Sequence, residues 1–241
     1  MGRGTPLIDA WILVATVYGL VVCGGAADAY ARWASPSCLG AGAALVWAVR
    51  ARGGVPRLAT PGRRVAPVFA LGLAAGFASL PAWIALIWRV GAGLRLPTVG
   101  AGGGEAAGPL GWASAVVFAP LLEEMLYRER LLGALRPHVG LGPAILLSSA
   151  AFAAPHGEPW RVLGTFLVGI ALGAIAAGTR SLVLCIGLHA GLNLAALVCG
   201  VPPARLALPV AAAGAAGWLG VGAAVAVLRP APQRGATERL A

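Results

Sequence analysis

The sequence contains no lysine, a single asparagine and only eight acidic residues. Charged residues make up 11% of the 241 positions, hydrophobic residues make up 59%, and the mean hydropathy is +0.84. In an average soluble domain, roughly a quarter of the residues are charged. This shortage of charge excludes an ordinary soluble domain and predicts an integral membrane protein.

The basic residues are all arginine, and their placement argues against nucleic-acid binding. The formal net charge of +10 would suggest a nucleic-acid partner in a soluble protein. Here most arginines lie between apolar segments, as membrane topology signals do, and no basic stripe alternates with aromatic residues. The expected partner is therefore the lipid bilayer and not nucleic acid. A composition rich in Ala, Gly and Arg without Lys suggests a GC-rich genome, so we expect a multi-pass protein of a bacterial inner membrane.

Cysteine is scarce as well. The four cysteines are Cys23, Cys38, Cys185 and Cys199. They form no CxxC pair and have no zinc-site spacing. Three of them lie within apolar segments, so we interpret them as small buried hydrophobic residues.

Apolar segments recur along the whole chain. A helix that crosses a bilayer needs about 20 mostly apolar residues, and by this measure the sequence predicts an all-α membrane protein with about eight transmembrane helices in one bundle. The predicted spans are 7–26, 34–49, 66–88, 108–127, 140–156, 160–179, 181–200 and 204–228. The first has no clear cleavage site before Asp28, so it is expected to be a retained span and not a signal peptide. The fourth is expected to continue as a helix to Leu135, where Pro137 stops it.

The arginines also predict the orientation of the bundle. Thirteen of the 18 lie in the N-terminal segment, in the connections after the second, fourth and sixth spans, and in the C-terminal segment. Positively charged loops tend to stay in the cytoplasm, so both termini are predicted to be cytoplasmic. Small residues that recur every fourth position, at Gly169, Gly173 and Ala177, predict that the sixth span packs closely on a neighbour.

A few polar side chains lie inside the predicted spans, where an ionisable group is costly. Glu123 and Glu124 follow a run without charge in the fourth span, His156 ends the fifth, and the seventh contains His189 and Asn193. The sequence has only three histidines, and Asn193 is its single asparagine. Scarce polar residues at costly positions favour a functional site.

The spacing of these residues supports that interpretation. Glu124 and Arg128 are four positions apart, so they share a helix face and can pair. Glu123 is rotated by about 100° from its neighbour and can point elsewhere. His189 and Asn193 are also four apart and project together. Each pattern alone has a structural alternative, such as an interfacial glutamate pair or a His–Asn contact that joins two helices, but their joint occurrence in one bundle favours function.

Three short motifs thus follow one another along the chain. They are Glu123-Glu124-x-x-x-Arg128, Phe152-x-x-x-His156 and His189-x-x-x-Asn193. Together they resemble the motifs of the CPBP family, which comprises CAAX-type prenyl endopeptidases and bacteriocin-processing (Abi) proteins. The resemblance covers residues 108–200. It departs from the family in one place, because Glu129 and Arg130 follow the motif arginine where family members commonly have a glycine.

The resemblance implies an intramembrane endopeptidase that hydrolyses a peptide bond of a membrane-anchored protein, with a C-terminal processing or sorting signal as the expected kind of target. It also divides the chain into transmembrane helices 1–3 with their loops (1–107), a CPBP-like catalytic core (108–200), and a last helix with a polar tail (201–241). Arg128 and Phe152 are expected to support the catalytic residues.

The implied chemistry needs an activated water, a stabilised oxyanion and a proton for the leaving amine. Glu123 is expected to be the general base. Glu124 is expected to pair with Arg128 or to share the water. His156 is expected to orient that water or to carry a proton. His189 and Asn193 are expected to stabilise the oxyanion. His156 ends its span and is expected near the outer surface, unless the helix breaks there.

Metal-free glutamate catalysis without a cofactor is the favoured mechanism. A zinc site made of Glu123, His156 and His189 is the alternative, although the sequence has no HExxH motif and the three residues come from separate helices. Two other classes of protein also stay open. One is a proton-coupled transporter with a relay of buried Glu and His, and the other is a non-catalytic membrane scaffold.

Overall fold

The computed structural model describes residues 65–96, 112–156 and 158–199, together with residues 217, 219–222 and 224. Within these ranges the secondary structure is helical and contains no strand, in agreement with the predicted all-α class. The predicted spans 7–26 and 34–49 lie outside the described residues, as does most of 204–228. The count of eight spans, the orientation of the termini and the division into three regions therefore stay predictions.

Helix α1 is the first described element and runs over Val65–Gly93. It ends in a turn in which Leu96 N–H donates to the carbonyl of Gly91 at 3.0 Å and Arg95 N–H donates to the carbonyl of Ala92 at 3.1 Å. Arg95 has a left-handed φ of 53°. This pattern of bonds is a Schellman motif, which satisfies the last carbonyls of the helix and ends it.

Helix α2 covers residues 114–139 and changes its helix type three times. The pieces are a π-helical Ser114–Phe118, an α-helical Ala119–Glu123, a π-helical Glu124–Leu131 and an α-helical Leu132–Val139. π-Helical stretches are rare and often mark functional sites. The predicted stop at Pro137 is wrong, because the proline lies inside the last piece. The helix ends instead at Gly140, whose φ of 81° suits a residue without a side chain.

Three helices complete the described core: α3 (Leu141–Ala153), α4 (Pro159–Thr179) and α5 (Leu182–Cys199). A 3₁₀ turn, Ala154–His156, follows α3. The tight connection between α4 and α5 is held by Ser181, whose hydroxyl accepts the N–H of Leu184 at 3.2 Å and caps the start of α5. Helices α1, α4 and α5 are long and apolar enough to cross a membrane, whereas α3 with its 3₁₀ turn is shorter.

Helices α1 and α5 approach each other at four glycines, two on each helix. A Cβ on Gly72 would lie 2.8 Å from the Leu184 carbonyl oxygen, and a Cβ on Gly187 would lie 2.6 Å from the carbonyl oxygen of Phe69. Gly76 and Gly191 face the partner backbone even more closely. Such contact requires that both helices present small residues, as membrane helices with small-xxx-small patterns do. It fixes the stretch of α5 that carries His189.

Helix α4 packs on α3 in a similar way. A Cβ on Gly169 would lie 3.0 Å from Cβ of Ser149, and a Cβ on Gly173 would lie 3.1 Å from Cγ2 of Ile145. The close packing predicted from these two glycines is therefore confirmed. Among the described residues the buried apolar side chains form two clusters, one on α2 and α3 that includes Phe152 and one on α1, α4, α5 and residues 221 and 224 that includes Leu188. His189 follows Leu188 of the second cluster and contacts Phe152 of the first.

Candidate active site

The two adjacent glutamates of α2 lie in different environments. Glu123 ends the five-residue α-helical piece and Glu124 begins the π-helical piece. The side chain of Glu124 is completely buried, whereas that of Glu123 is 32% exposed. The carboxylate of Glu124 therefore lies in the interior, whereas the carboxylate of Glu123 is accessible at the edge of that interior.

Glu124 forms a buried ion pair with Arg128, as the spacing predicts. Arg128 Nε lies 3.2 Å from Glu124 Oε2. Arg128 Nη2 also donates to the backbone carbonyl of Gly169 at 3.5 Å, and the guanidinium carbon lies 4.2 Å above the centre of the Phe152 ring. A buried carboxylate needs such a partner, because an unpaired charge in the interior is strongly destabilising. These contacts join α2 to α3 and α4.

The second oxygen of Glu124 contacts His189 on α5. Its Oε1 lies 2.9 Å from His189 Nδ1, and both side chains are buried. Because a carboxylate paired with Arg128 can only accept, the hydrogen of this bond lies on Nδ1. The contact fixes the plane of the imidazole and turns its other nitrogen, Nε2, away from Glu124.

His189 Nε2 faces Glu123. The distance from Nε2 to Glu123 Oε2 is 3.7 Å, which is too long for a direct hydrogen bond. A water molecule placed beside this gap would lie within hydrogen-bond reach of both atoms. A partly exposed carboxylate and an oriented imidazole thus meet at one point and can bind the same water.

The ring of Phe152 on α3 contacts both histidines. The imidazoles of His156 and His189 each lie 5.6 Å from its centre, at interplanar angles of 64° and 87°. Tyr127 packs against the same ring at 5.3 Å. Phe152 lies one turn before His156 and packs against it, and the ring also touches the histidine of α5, which the spacing did not indicate.

His156 lies in the 3₁₀ turn that follows α3. The helix therefore breaks before this residue, and the turn keeps the imidazole against Phe152. Its Nδ1 atom is buried and has no hydrogen-bond partner among the described residues. The depth of His156 in a bilayer stays a prediction.

Asn193 contacts α2 at Ala115, about two turns before the glutamates. Its Nδ2 donates to the backbone carbonyl of Ala115 at 2.8 Å. One hydrogen of this amide therefore joins two helices, which is the contact that the structural alternative for the His–Asn pair predicts. The second hydrogen on Nδ2 and the oxygen Oδ1 have further bonding capacity.

The zinc alternative can be compared with this geometry. In the part of the chain that the structure describes, no group of three or more His, Cys, Asp or Glu side chains is arranged to hold a metal ion. Glu123 and His189 Nε2 face each other, but His156 does not complete a three-ligand group with them among the described residues. Catalysis without a metal stays the prediction, and a catalytic zinc site made of Glu123, His156 and His189 stays its alternative.

Some residues of this region escaped sequence reasoning. The bond between Glu124 and His189 joins residues 65 positions apart, and helical spacing carries no information about such a pair. In the sequence, Tyr127 stands out only as an aromatic residue inside the first motif, and its contact with Phe152 was not predicted. Glu129 and Arg130, which stand where the resembled family commonly has a glycine, are both buried, at 2% and 6% exposure.

Comparison with known families agrees with the motifs. Residues 106–195 match the Rce1-like family, described as type II CAAX prenyl endopeptidase Rce1-like. Neither a curated protein nor a solved structure gives a significant match. The matched segment contains all the motif residues, and the match supports membership of the CPBP family. It supports a protease of the CAAX type and, with the apolar helices, a membrane protein.

Proposed function

We propose that the protein is an intramembrane endopeptidase that hydrolyses a peptide bond of a membrane-anchored protein by means of a water activated by Glu123. The observation that carries this proposal is the arrangement of Glu123 opposite His189 Nε2 at 3.7 Å, with Glu124 bonded to the other ring nitrogen at 2.9 Å. A carboxylate that orients an imidazole toward the reacting groups is a recurring feature of hydrolases.

Glu123 acts as the general base in this mechanism. Its Oε2 accepts a proton from the water while the water oxygen attacks the scissile carbonyl carbon. The carboxylic acid so formed then gives that proton to the leaving nitrogen, which restores the carboxylate when the peptide bond breaks. The partial exposure of Glu123 gives the water and the substrate access to this oxygen.

His189 stabilises the oxyanion that forms on the carbonyl oxygen. In the imidazolium form both ring nitrogens carry a hydrogen, so Nδ1 donates to Glu124 while Nε2 donates to the oxyanion. Arg128 keeps Glu124 in place and balances its charge. The buried pair thus serves the catalytic residues without itself reaching the substrate.

His156 and Asn193 complete the proposed set. The uncommitted Nδ1 of His156 suits a group that orients the water or relays the proton from Glu123 to the leaving amine. Asn193 has one amide hydrogen left after its bond to Ala115, and this hydrogen is assigned to the oxyanion. Alanine substitution of His156 or of His189 is expected to abolish cleavage while the protein remains folded, and alanine substitution of Asn193 is expected to slow cleavage.

The substrate is proposed to be an anchored protein that is cut near its membrane-proximal or C-terminal end. The name of the matched family refers to prenylated CAAX proteins. In a bacterium we expect instead a protein with a C-terminal processing signal made of a short motif, a span and an arginine cluster. Candidates are anchored proteins encoded near the gene.

The test is a cleavage assay with the purified, detergent-solubilised full-length protein. It compares the wild type with Glu123→Gln, each with and without a strong chelator. Glu158→Gln is the matched control, because Glu158 is exposed and forms only a long pair with Arg161 at 3.7 Å. Cleavage that survives chelation, persists in the control and vanishes in Glu123→Gln would support the proposal.

Other outcomes would redirect the assignment. Cleavage lost on chelation and restored by zinc would replace the metal-free mechanism with a metal-dependent one. Full activity of Glu123→Gln would remove Glu123 from the mechanism. A cellular phenotype that is unchanged in Glu123→Gln would favour a scaffold, and proton-coupled uptake into liposomes would favour a transporter.

A further inference from the structure

The hydrogen bond between Asn193 and Ala115 is the starting point for an inference about how the site is held. Asn193 lies on α5, one turn after His189, and Ala115 lies in the first π-helical piece of α2. The Nδ2–O distance is 2.8 Å. The amide thus bonds to a backbone carbonyl of a helix, a group that normally has its partner within the helix.

Pro120 explains why this carbonyl is available. In a π-helix the carbonyl of residue i accepts the N–H of residue i+5, and for Ala115 that residue is Pro120, which has no N–H. The α-helical alternative would be the N–H of Ala119, but in the π-helical pattern that group pairs with the carbonyl of Ser114. The Ala115 carbonyl is therefore left without a partner in its own helix.

An open carbonyl at this place needs a partner from elsewhere. Within a bilayer no bulk water reaches the backbone, so an unsatisfied carbonyl is costly. Asn193 supplies the donor, and it is the single asparagine of the sequence. Pro120 on α2 therefore removes one hydrogen-bond donor from the Ala115 carbonyl, and Asn193 on α5 supplies another.

We infer that Asn193 is a positioning residue, which binds the carbonyl left open by Pro120 and so sets the separation of Glu123 from His189. Among the described residues, side chains of α5 form hydrogen bonds to α2 at two places, His189 to Glu124 and Asn193 to Ala115. One contact would let α2 pivot about it, whereas two fix its rotation and its position along α5. Glu123 lies on α2 between Ala115 and Glu124, so both contacts determine where its carboxylate lies.

This role is additional to the oxyanion contact assigned to the other hydrogen of Asn193. The hydrogen bond to Ala115 does not depend on any activity of the protein. Its effect on cleavage rests on the proposed function. The two statements can therefore fail separately.

A double-mutant cycle tests the inference in the full-length detergent-solubilised protein. The variants are Asn193→Leu, Pro120→Ala and the two combined, and each is measured for its cleavage rate and its unfolding midpoint. Asn193→Leu is expected to lower both, because it leaves the Ala115 carbonyl without a donor. Pro120→Ala provides a new N–H at position 120 that can bond to this carbonyl within α2. When Pro120→Ala is also present, the loss of cleavage rate caused by Asn193→Leu is expected to be about threefold smaller. This factor corresponds to an ordinary interhelical hydrogen bond in a membrane.

The control cycle combines Asn193→Leu with Pro137→Ala, the same substitution near the other end of α2. Pro137 lies far along the helix from Ala115, so the effects of these two substitutions are expected to add. If Pro120→Ala and Asn193→Leu also add in both cleavage rate and unfolding midpoint, the inference is wrong and Asn193 acts only at the substrate. Should Asn193→Leu not fold, Asn193→Ala takes its place, because alanine has no side-chain hydrogen to donate.

A wild-type protein that cleaves no candidate would contradict the proposed function and leave the unfolding cycle as the test of this contact. In that case, coupling of the two substitutions in the unfolding midpoint supports the positioning role, and additivity overturns it.

Discussion

His189 donates its Nδ1 hydrogen to Glu124 at 2.9 Å, although the two residues are 65 positions apart in the chain. The bond brings the fourth and seventh predicted spans together at one buried carboxylate. It also separates the roles of the two adjacent glutamates, because the other ring nitrogen then faces Glu123.

The first prediction concerns Glu123→Gln. The substitution keeps the shape of the side chain and removes the base, so the cleavage rate is expected to fall by about 10² to 10⁴. The unfolding midpoint in detergent should change little, since the side chain is partly exposed. A variant that lost stability as much as activity would indicate a structural role for Glu123 instead.

The second prediction is that Glu124→Gln lowers stability as well as activity, in contrast to Glu123→Gln. This side chain is fully buried between Arg128 and His189. Removing one member of a buried ion pair leaves an uncompensated charge and costs about 3–5 kcal/mol. We therefore expect a clear drop in the unfolding midpoint together with loss of cleavage, measured beside Glu123→Gln under identical conditions. Equal stability of the two variants would argue against the buried network.

The third prediction tests the geometry of Arg128. Arg128→Lys keeps the positive charge but loses the planar group that pairs with Glu124 and lies on Phe152. We expect lower stability and a lower cleavage rate. Arg161→Lys is the matched control, because Arg161 is 56% exposed and its ion pair is long, so its effect should be within about 0.5 kcal/mol. Full activity of Arg128→Lys would show that charge alone is sufficient at this position.

The fourth prediction concerns the contact between α1 and α5. A Cβ on Gly191 would overlap the carbonyl of Leu73 and the N–H of Phe77, so Gly191→Ala is expected to push the helices apart. Overpacking of this kind costs about 1–3 kcal/mol. It should also reduce cleavage, because His189 lies two positions earlier on the same helix.

The control for this prediction is Gly178→Ala on α4. A Cβ there would meet no atom within 4 Å. Alanine is the better helix former by about 0.5–1 kcal/mol, so this variant should be as stable as the wild type or more so. If Gly178→Ala and Gly191→Ala had the same effect, helix propensity and not packing would explain both.

Sequence reasoning reached the parts of the site that depend on neighbours along one helix. The pairing of Glu124 with Arg128 and the packing of Phe152 on His156 both follow from residues four positions apart. The close approach at Gly169 and Gly173 also follows from a local pattern. The same local reasoning failed at Pro137, because a proline can stay inside a helix, whereas the change of φ at Gly140 ends it.

The sequence by itself predicted a helical membrane protein, of which the described residues show three helices apolar and long enough to span, and the small set of polar residues that the family match also covers. Helical periodicity and composition are local properties, so these conclusions needed no knowledge of how the helices meet. The tertiary structure alone decided that Glu124 bonds to His189 and that Asn193 bonds to Ala115. Those contacts depend on the rotation and crossing of separate helices, which are set by glycines that let two backbones touch and by a proline that opens a carbonyl.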